Sequence, residues 1–399
     1  MARLARRQRS ALAIARRAVT CLAVPKLAEV IAALEDWYPP STAESWDAIG
    51  LSCGDPQAEV SRLLLAVDCL PATVDEAIAQ RAQLLITHHP LFLSAVHGVP
   101  VTDPKGALVH RMICNGLAHF AAHTNADVAE HGVSQALAER LELVDVRPLH
   151  ADPVPAIDHL SVFVPAGDLD KLIAALSDAG AGAIGNYDQC TFTVDGVGTY
   201  RPLPGADPTD GAIGVLSRKR EARLSMALPR RRRAAVIAAM RAAHPYEEIA
   251  FELTEQAALA GTTGTGRVGK LPRPMTLGEF TTFAATRLPK TVWGVRASGD
   301  VDKSISTVAV CGGAGGSYAD RARAAGADVY LTSDLRHHST IESVTERPGS
   351  TMALVDAAHW ATESPWLDSL AVLLGQRFGP RADVTVSRLV TDPWTLHEH

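Results

Sequence analysis

The sequence predicts an α/β protein: a discontinuous α/β domain interrupted by an inserted ferredoxin-like α+β domain. Three observations lead to this. Near both ends of the chain, short apolar runs of the kind buried on both faces of a parallel sheet alternate with helical segments. Those runs stop at polar clusters, and open α/β sheets bind ligands at the carboxyl edge of their strands. In the middle the pattern changes to two strand-helix-strand halves within about a hundred residues, the arrangement of a split βαβ sandwich.

In order along the chain, residues 60–68 form the first apolar strand, and Pro71 and Thr73 open a helix that runs to about Ala82. A second strand over 84–87 ends in His88-His89-Pro90. A helix over 105–115 and a strand over 117–121 lead to His123-Thr124-Asn125-Ala126-Asp127. The middle reads strand 159–164, helix 168–179 and strand 189–194, then strand 221–227, helix 231–242 and strand 249–253. Near the far end a strand over 305–310, a glycine-rich turn over 311–317 and a helix to about Ala325 repeat the first idiom. Strands over 328–332 and 351–356 then run into Ser333-Asp334-Leu335-Arg336-His337-His338 and Ala357-Ala358-His359. Glycines and prolines near 148–155 and 261–274 mark the two crossings. The predicted division is a basic tail over 1–27, a first half over 28–155, the insert over 156–262 and a second half over 263–399.

Bulk composition narrows the function classes. With 399 residues, 47% of them hydrophobic, the chain can build more than one core. A net charge of -6 indicates neither nucleic acid nor an anionic membrane as partner, and no apolar run reaches the length of about eighteen residues that a membrane helix needs. The first twenty residues hold six arginines and no acid. That stretch reads as a frayed tail or over-long translation start, as a basic amphipathic turn, or as a targeting segment; its apolar run at 10–15 is short for a signal peptide. The six cysteines are scattered, without two-residue spacing, which fits a reducing, cytoplasmic setting.

The chemistry centres on histidines and acids. Pro90 restricts the residue before it to extended geometry, so His88 and His89 point to different sides of the backbone and can serve two ions, or one ion and its surroundings. The bland alternative is a pair of structural histidines. His359 and Glu363, four apart, share one face if a helix starts there, or are an ordinary solvent-facing pair. Asp127 is either a ligand or the cap of the helix that follows. Taken together, acids and imidazoles at several strand ends of one sheet repel or desolvate one another unless divalent cations compensate. Nitrogen and oxygen donors without sulfur suit zinc, iron or manganese.

Several ordered stretches carry a resemblance. They are Trp46-Asp47-Ala48-Ile49-Gly50-Leu51 with Gly54-Asp55-Pro56, Ile86-Thr87-His88-His89-Pro90-Leu91, and His123-Thr124-Asn125-Ala126-Asp127. In the middle come Gly185-Asn186-Tyr187-Asp188, Gly205-Ala206-Asp207-Pro208 and His244-Pro245-Tyr246-Glu247-Glu248. Last are Cys311-Gly312-Gly313-Ala314-Gly315, Gly326-Ala327-Asp328-Val329-Tyr330 and Asp356-Ala357-Ala358-His359 with Glu363. From about Ala28 onward the chain resembles the dinuclear-metal hexameric proteins labelled homologues of GTP cyclohydrolase I type 2, also called NGG-interacting-factor-like proteins. The resemblance implies that His88, His89, Asp127, His359 and Glu363 hold two divalent metal ions per subunit, one or both acids bridging. It puts His97, His123 and His338 nearby, His123 and His338 being the candidates for proton transfer. It also implies a toroidal homohexamer, an insert like the nitrogen-regulatory or copper-tolerance trimers, and a small, nucleotide-like substrate. Ser333, Ala358 and Ala48 depart from residues usual in the family without removing a ligand.

Other signals are weaker. Gly312 to Gly316 reads as a tight turn more than an anion cradle, Gly264 to Gly269 as a domain connection, Arg230 to Arg233 as a solvated run, and His244 to Glu248 as structural or subunit contact. The leading function is a metal-dependent hydrolase, opening a nucleotide ring or cleaving a phosphoester. The alternative is a non-enzymatic metal-binding ring acting as chaperone, regulator or scaffold.

Overall fold

The computed structural model describes residues 23–154, 156–345 and 352–398, so the arginine-rich stretch over 1–22 lies outside the described residues. Two compact units emerge, one built from the chain up to Asp152 together with the chain from Thr262, the other from Pro153–Gly261.

Helix α1 (Leu27–Trp37) and strand β1 (Gly50–Cys53) come first. Strand β2 (Arg62–Ala66), helix α2 (Pro71–Ala79) and strand β3 (Leu84–Thr87) make one parallel crossover, and α3 (Pro104–Cys114) with β4 (Ala118–Ala121) makes the next. Helix α3 starts where it does because the Asp103 carboxylate accepts from the N–H groups of Lys105 and Gly106, with Pro104 in the first turn. Helices α4 (Thr124–Val128) and α5 (Val133–Arg140) and strand β5 (Val144–Pro153) lead to the crossing.

The smaller unit contains β6 (Ile157–Pro165), α6 (Leu169–Asp178), β7 (Phe192–Tyr200), β8 (Ser217–Pro229), α7 (Arg233–Ala243) and β9 (Phe251–Glu255). Its four strands pair antiparallel in the order β7-β8-β6-β9, and alternate residues Leu160, Val162 and Val164 pack with Leu172, Leu176, Val236 and Met240 of the helices. Strand β7 runs six residues past its predicted end, through Gly196 and Gly198. A Cβ at Gly198 would lie 1.9 Å from Glu221 Oε2 on the paired strand, so a side chain there requires that carboxylate to move aside. The arginine run is only partly solvated: Arg230 and Arg233 both donate to the fully buried carboxylate of Asp158, at 3.0 and 2.7 Å.

After the second crossing come β10 (Ala260–Thr276), α8 (Leu277–Arg287), β11 (Val295–Ser298), β12 (Ser304–Val310), α9 (Ala319–Ala324) and β13 (Val329–Ser333). Helix α10 (His337–Thr345), β14 (Ala353–Ala357), α11 (His359–Glu363), α12 (Pro365–Phe378) and β15 (Asp383–Val386) complete the larger unit. Its strands form two sheets, β1-β4-β3-β2-β15 and β11-β14-β13-β12-β10-β5. The last strand of the chain thus pairs parallel with β2, while β5 from the first half edges the sheet of the second. One apolar core runs through the unit, from Leu27 and Leu34 of α1 through Val133 and Leu137 of α5 to Phe280, Trp366 and Leu370.

The segment Gly264 to Gly269, read from sequence as a domain connection, lies inside β10, which begins at the second crossing. Arg267 sits among these glycines. This side chain is 1% exposed and donates to the carbonyls of Gly264, Gly266 and Ala129 and to Gln135 Oε1, so the first strand after the insert is tied to the segment before it. Replacing it leaves desolvated carbonyls without a donor. Arg267→Ala is expected to lower stability by about 3 kcal/mol in urea denaturation, whereas Arg223→Ala, which removes an exposed ion pair with Glu252, should change it by under about 1 kcal/mol.

Candidate metal centre

Register puts the functional side chains at one edge. In the first sheet Ala66 pairs with Thr87 and Thr87 with Ala121, so β2, β3 and β4 end level and deliver Asp68, His88-His89 and His123 together. The ladder extends beyond the strands, His89 N–H donating to Val67 O at 2.9 Å and Ala122 N–H to Thr87 O at 3.0 Å. In the second sheet Ser333 pairs with Ala357, which brings Asp334 and His359 to the same level. Helix α11 then stacks His359 over Glu363, Nε2 to Oε1 at 2.8 Å.

The residues gather around Glu363, which is 3% exposed. Its Oε1 lies 3.5 Å from His88 Nε2, and its Oε2 lies 3.1 Å from His89 Nε2. Asp127 Oδ1 on α4 is 3.6 Å from His88 Nε2. Each imidazole is held through its other nitrogen. His88 Nδ1 meets Ala122 O at 2.9 Å, His89 Nδ1 meets Asp68 Oδ1 at 2.7 Å, His359 Nδ1 meets Asp334 Oδ2 at 2.7 Å, and His123 Nδ1 meets Asp47 Oδ1 at 2.8 Å. An oxygen partner makes Nδ1 an N–H and points Nε2 inward, the arrangement of a metal-ligating histidine.

Donor chemistry gives a direct test of whether metal fits. His88 Nε2 and Asp127 Oδ1 are shielded from water and have no hydrogen-bond partner, and Glu363 Oε2, equally shielded, faces the His89 imidazole. Unpartnered buried polar atoms are costly, and these three point into one cluster. His88, His89 and His123 offer ligand atoms within 4.8 Å of one another, as do His89, His359 and Glu363. Two candidate clusters that share His89 could therefore hold metal ions. Residues 25–393 match the Duf34/NIF3 (NGG1p interacting factor 3) family.

The chain belongs to that family. It is 46% identical over 374 residues, 93% of this chain and 95% of the relative, to a Mycobacterium leprae protein named GTP cyclohydrolase 1 type 2 homolog. A Mycobacterium tuberculosis protein of the same name is 45% identical over 94% of this chain and 98% of its own. Among solved structures, a Bacillus cereus protein related to NIF3 aligns with a TM-score of 0.67 and 34% identity, covering 94% of this chain and all (100%) of that one. A Staphylococcus aureus protein aligns with a TM-score of 0.74 and 26% identity, covering 94% and 99%.

In this Duf34/NIF3 chain the five expected ligands and His123 come together; His338 and His97 belong neither to the two three-residue clusters nor to the cleft lining. His338 stands exposed at the start of α10 with its ring 5.3 Å from that of His337, and His97 is exposed in the loop after β3. Sequence reading missed the roles of Asp47, Asp68 and Asp334. Each follows or precedes a strand by a few residues, and only its pairing with a histidine on another strand reveals what it does. Asp334 takes a left-handed backbone, φ 57°, which a non-glycine residue adopts at a cost. Reading the glycine turn as a plain turn also missed Gly313. A Cβ at that position would lie 2.5 Å from Glu363 Oε1, and its φ is +64°.

Burial opposes charge at His89 and His359, but the Glu363 carboxylate and the hydrogen bonds they donate to Asp68 and Asp334 outweigh it and raise them to about 11 and about 10. Burial likewise works against ionised Glu363, yet His89, His359 and His88 hold its carboxyl well below the usual range. Asp127 is pushed up to about 7 by burial, against the pull of His88. Without metal, then, protonated His89 and His359 stabilise the fold fully below their ordinary pKa near 6.5, and that contribution is lost as pH rises through about 10 to 11. Metal must displace those protons, so its affinity should rise with pH between 7 and 10, with about two protons released per chain at pH 8. Isothermal titration calorimetry in buffers of different ionisation enthalpy measures the number. Gly313→Ala, by displacing Glu363, and Asp68→Ala, by freeing His89, should each weaken metal binding about 10- to 100-fold in the same titration.

Proposed function

We propose that this chain is a dinuclear metal-dependent hydrolase whose ligands are His88, His89, Asp127, His359 and Glu363. The observation that carries it is the set of inward, desolvated donor atoms with every imidazole fixed from behind. Two divalent ions of zinc, iron or manganese would supply Lewis acidity to a water nucleophile and to an electrophilic carbon or phosphorus centre. Glu363 is suited to bridge, since its Oε1 faces His88 and His359 while its Oε2 faces His89. His123 lines the cleft beside the cluster with Nδ1 tied to Asp47, which leaves Nε2 to pass a proton. His338, exposed on α10, has no part in this reading.

The cleft encloses about 750 Å³, enough for a small molecule. The name carried by the mycobacterial relatives favours ring opening of a nucleotide, and the same residues would serve phosphoester hydrolysis. The β-α-β-β-α-β order and antiparallel sheet of the insert support reading it as ferredoxin-like. Its edge strand β7 exposes Phe192, Val194 and Val197, apolar residues that a homohexamer would cover. Cys53, Cys69, Cys114, Cys190 and Cys311 are unpaired, in keeping with the cytoplasm.

A panel of nucleotides and phosphoesters assayed with metallated protein tests the function. Turnover that disappears in both Asp127→Ala and Glu363→Ala, with the native mass of the assembly unchanged, is the expected result. Absence of turnover across the panel would leave a non-enzymatic metal-binding ring.

A further inference from the structure

Away from the ligands, the cleft is walled by an aromatic stack that the metal chemistry does not use. Trp293, just before β11, and Trp394, beyond β15, both line it, with ring centroids 5.8 Å apart and planes 33° from parallel. The stack is anchored at its far end. The Arg296 guanidinium lies 4.5 Å from the Trp293 centroid and is fixed by Asp356, which is 4% exposed and accepts from Arg296 Nε at 2.8 Å and pairs with Nη2 at 2.7 Å. At the near end Trp394 is 57% exposed, so a large indole is held in place with free surface. A second small hollow, lined by Trp293, Arg296 and Trp394, adjoins the cleft through the same two rings.

Two further features say what such a surface receives. Asp392, two residues before Trp394, lines the cleft beside the indole. Among the described residues no lysine or arginine lines the cleft, and Asp68, Asp334 and Asp392 do, so metal at the cluster would supply the positive charge that draws an anionic group there. The cleft thus offers an aromatic wall and, at the metal cluster, an anion site.

We propose that Trp394, backed by Trp293 and Arg296, is a stacking platform for a planar heteroaromatic ring whose anionic substituent reaches the metal cluster. The substrate class is then the nucleotide-like one, a ring-bearing phosphate, in place of a sugar phosphate or a simple ester. This rests on the metal-centre reading above, and binding without turnover separates the two.

The test is equilibrium binding to the full, metallated chain of two probes, guanosine 5′-monophosphate and ribose 5-phosphate, which share sugar and phosphate and differ in the ring. The ring-bearing probe should bind roughly 5- to 100-fold tighter, the range that stacking on an aromatic side chain gives, and should quench indole fluorescence. Trp394→Ala should remove most of that advantage and the quenching, with metal content unchanged and ribose 5-phosphate affinity unaltered. Trp394→Phe should retain it. Equal affinity for the two probes, no measurable binding of either, or an unchanged advantage in Trp394→Ala would overturn the platform. Tight, ring-dependent binding without hydrolysis of any nucleotide would leave the platform standing and remove the hydrolase.

Discussion

Glu363 sets the terms for the rest of the larger unit. A carboxylate taken out of water costs several kcal/mol unless it is compensated, and three imidazole nitrogens within 3.5 Å of Glu363 are the compensation. Those imidazoles cannot turn freely. Ala122 O, Asp68 and Asp334 hold their opposite edges, so the cluster is prepared before any ion arrives and its donors lose little on binding. Behind His88 stands Trp366, fully buried, its ring edge-on to the imidazole at 5.5 Å and its Nε1–H donating to Tyr38 Oη at 3.1 Å. The large apolar core therefore reaches to the back of a ligand.

The architecture follows from needing both ends of the chain at one place. His88 and His359 belong to different sheets and are separated in sequence by the whole insert. Exchange of β5 and β15 between the two sheets makes the halves inseparable, and Arg267 ties the strand after the insert to the carbonyl of Ala129, two residues from Asp127. The glycine turn is shaped by the same demand. Gly313 N–H donates to Thr362 Oγ1 at 2.9 Å and Thr332 Oγ1 donates to Gly313 O at 2.9 Å, so the turn lies against α11, where a side chain would collide with Glu363.

Much of this was legible in the sequence, and the gaps have physical causes. Apolar runs such as Leu63-Leu64-Leu65 and Leu84-Leu85-Ile86 declare buried parallel strands, and the histidines that end them declare the edge where chemistry sits. The i,i+4 spacing of His359 and Glu363 held because a helix does begin at His359. Strands β1, β5 and β15 were not seen: two are only four residues long, and none has the continuous burial of β2 or β3. Asp47, Asp68 and Asp334 escaped as well, since a carboxylate that orients a histidine is defined by a partner tens or hundreds of residues away and has no local signature. Arg267 sits in a glycine-rich stretch that mimics a loop, and its role depends on carbonyls of other segments.

Anomalous diffraction from crystals of the protein grown with its metal bears most directly on the claim that these buried donors form one dinuclear centre. Two peaks about 3.5 to 4 Å apart, flanked by the Nε2 atoms of His88, His89 and His359 and bridged by a carboxylate, are the predicted result. A single peak, or peaks whose nearest ligands lie elsewhere in the chain, would contradict it.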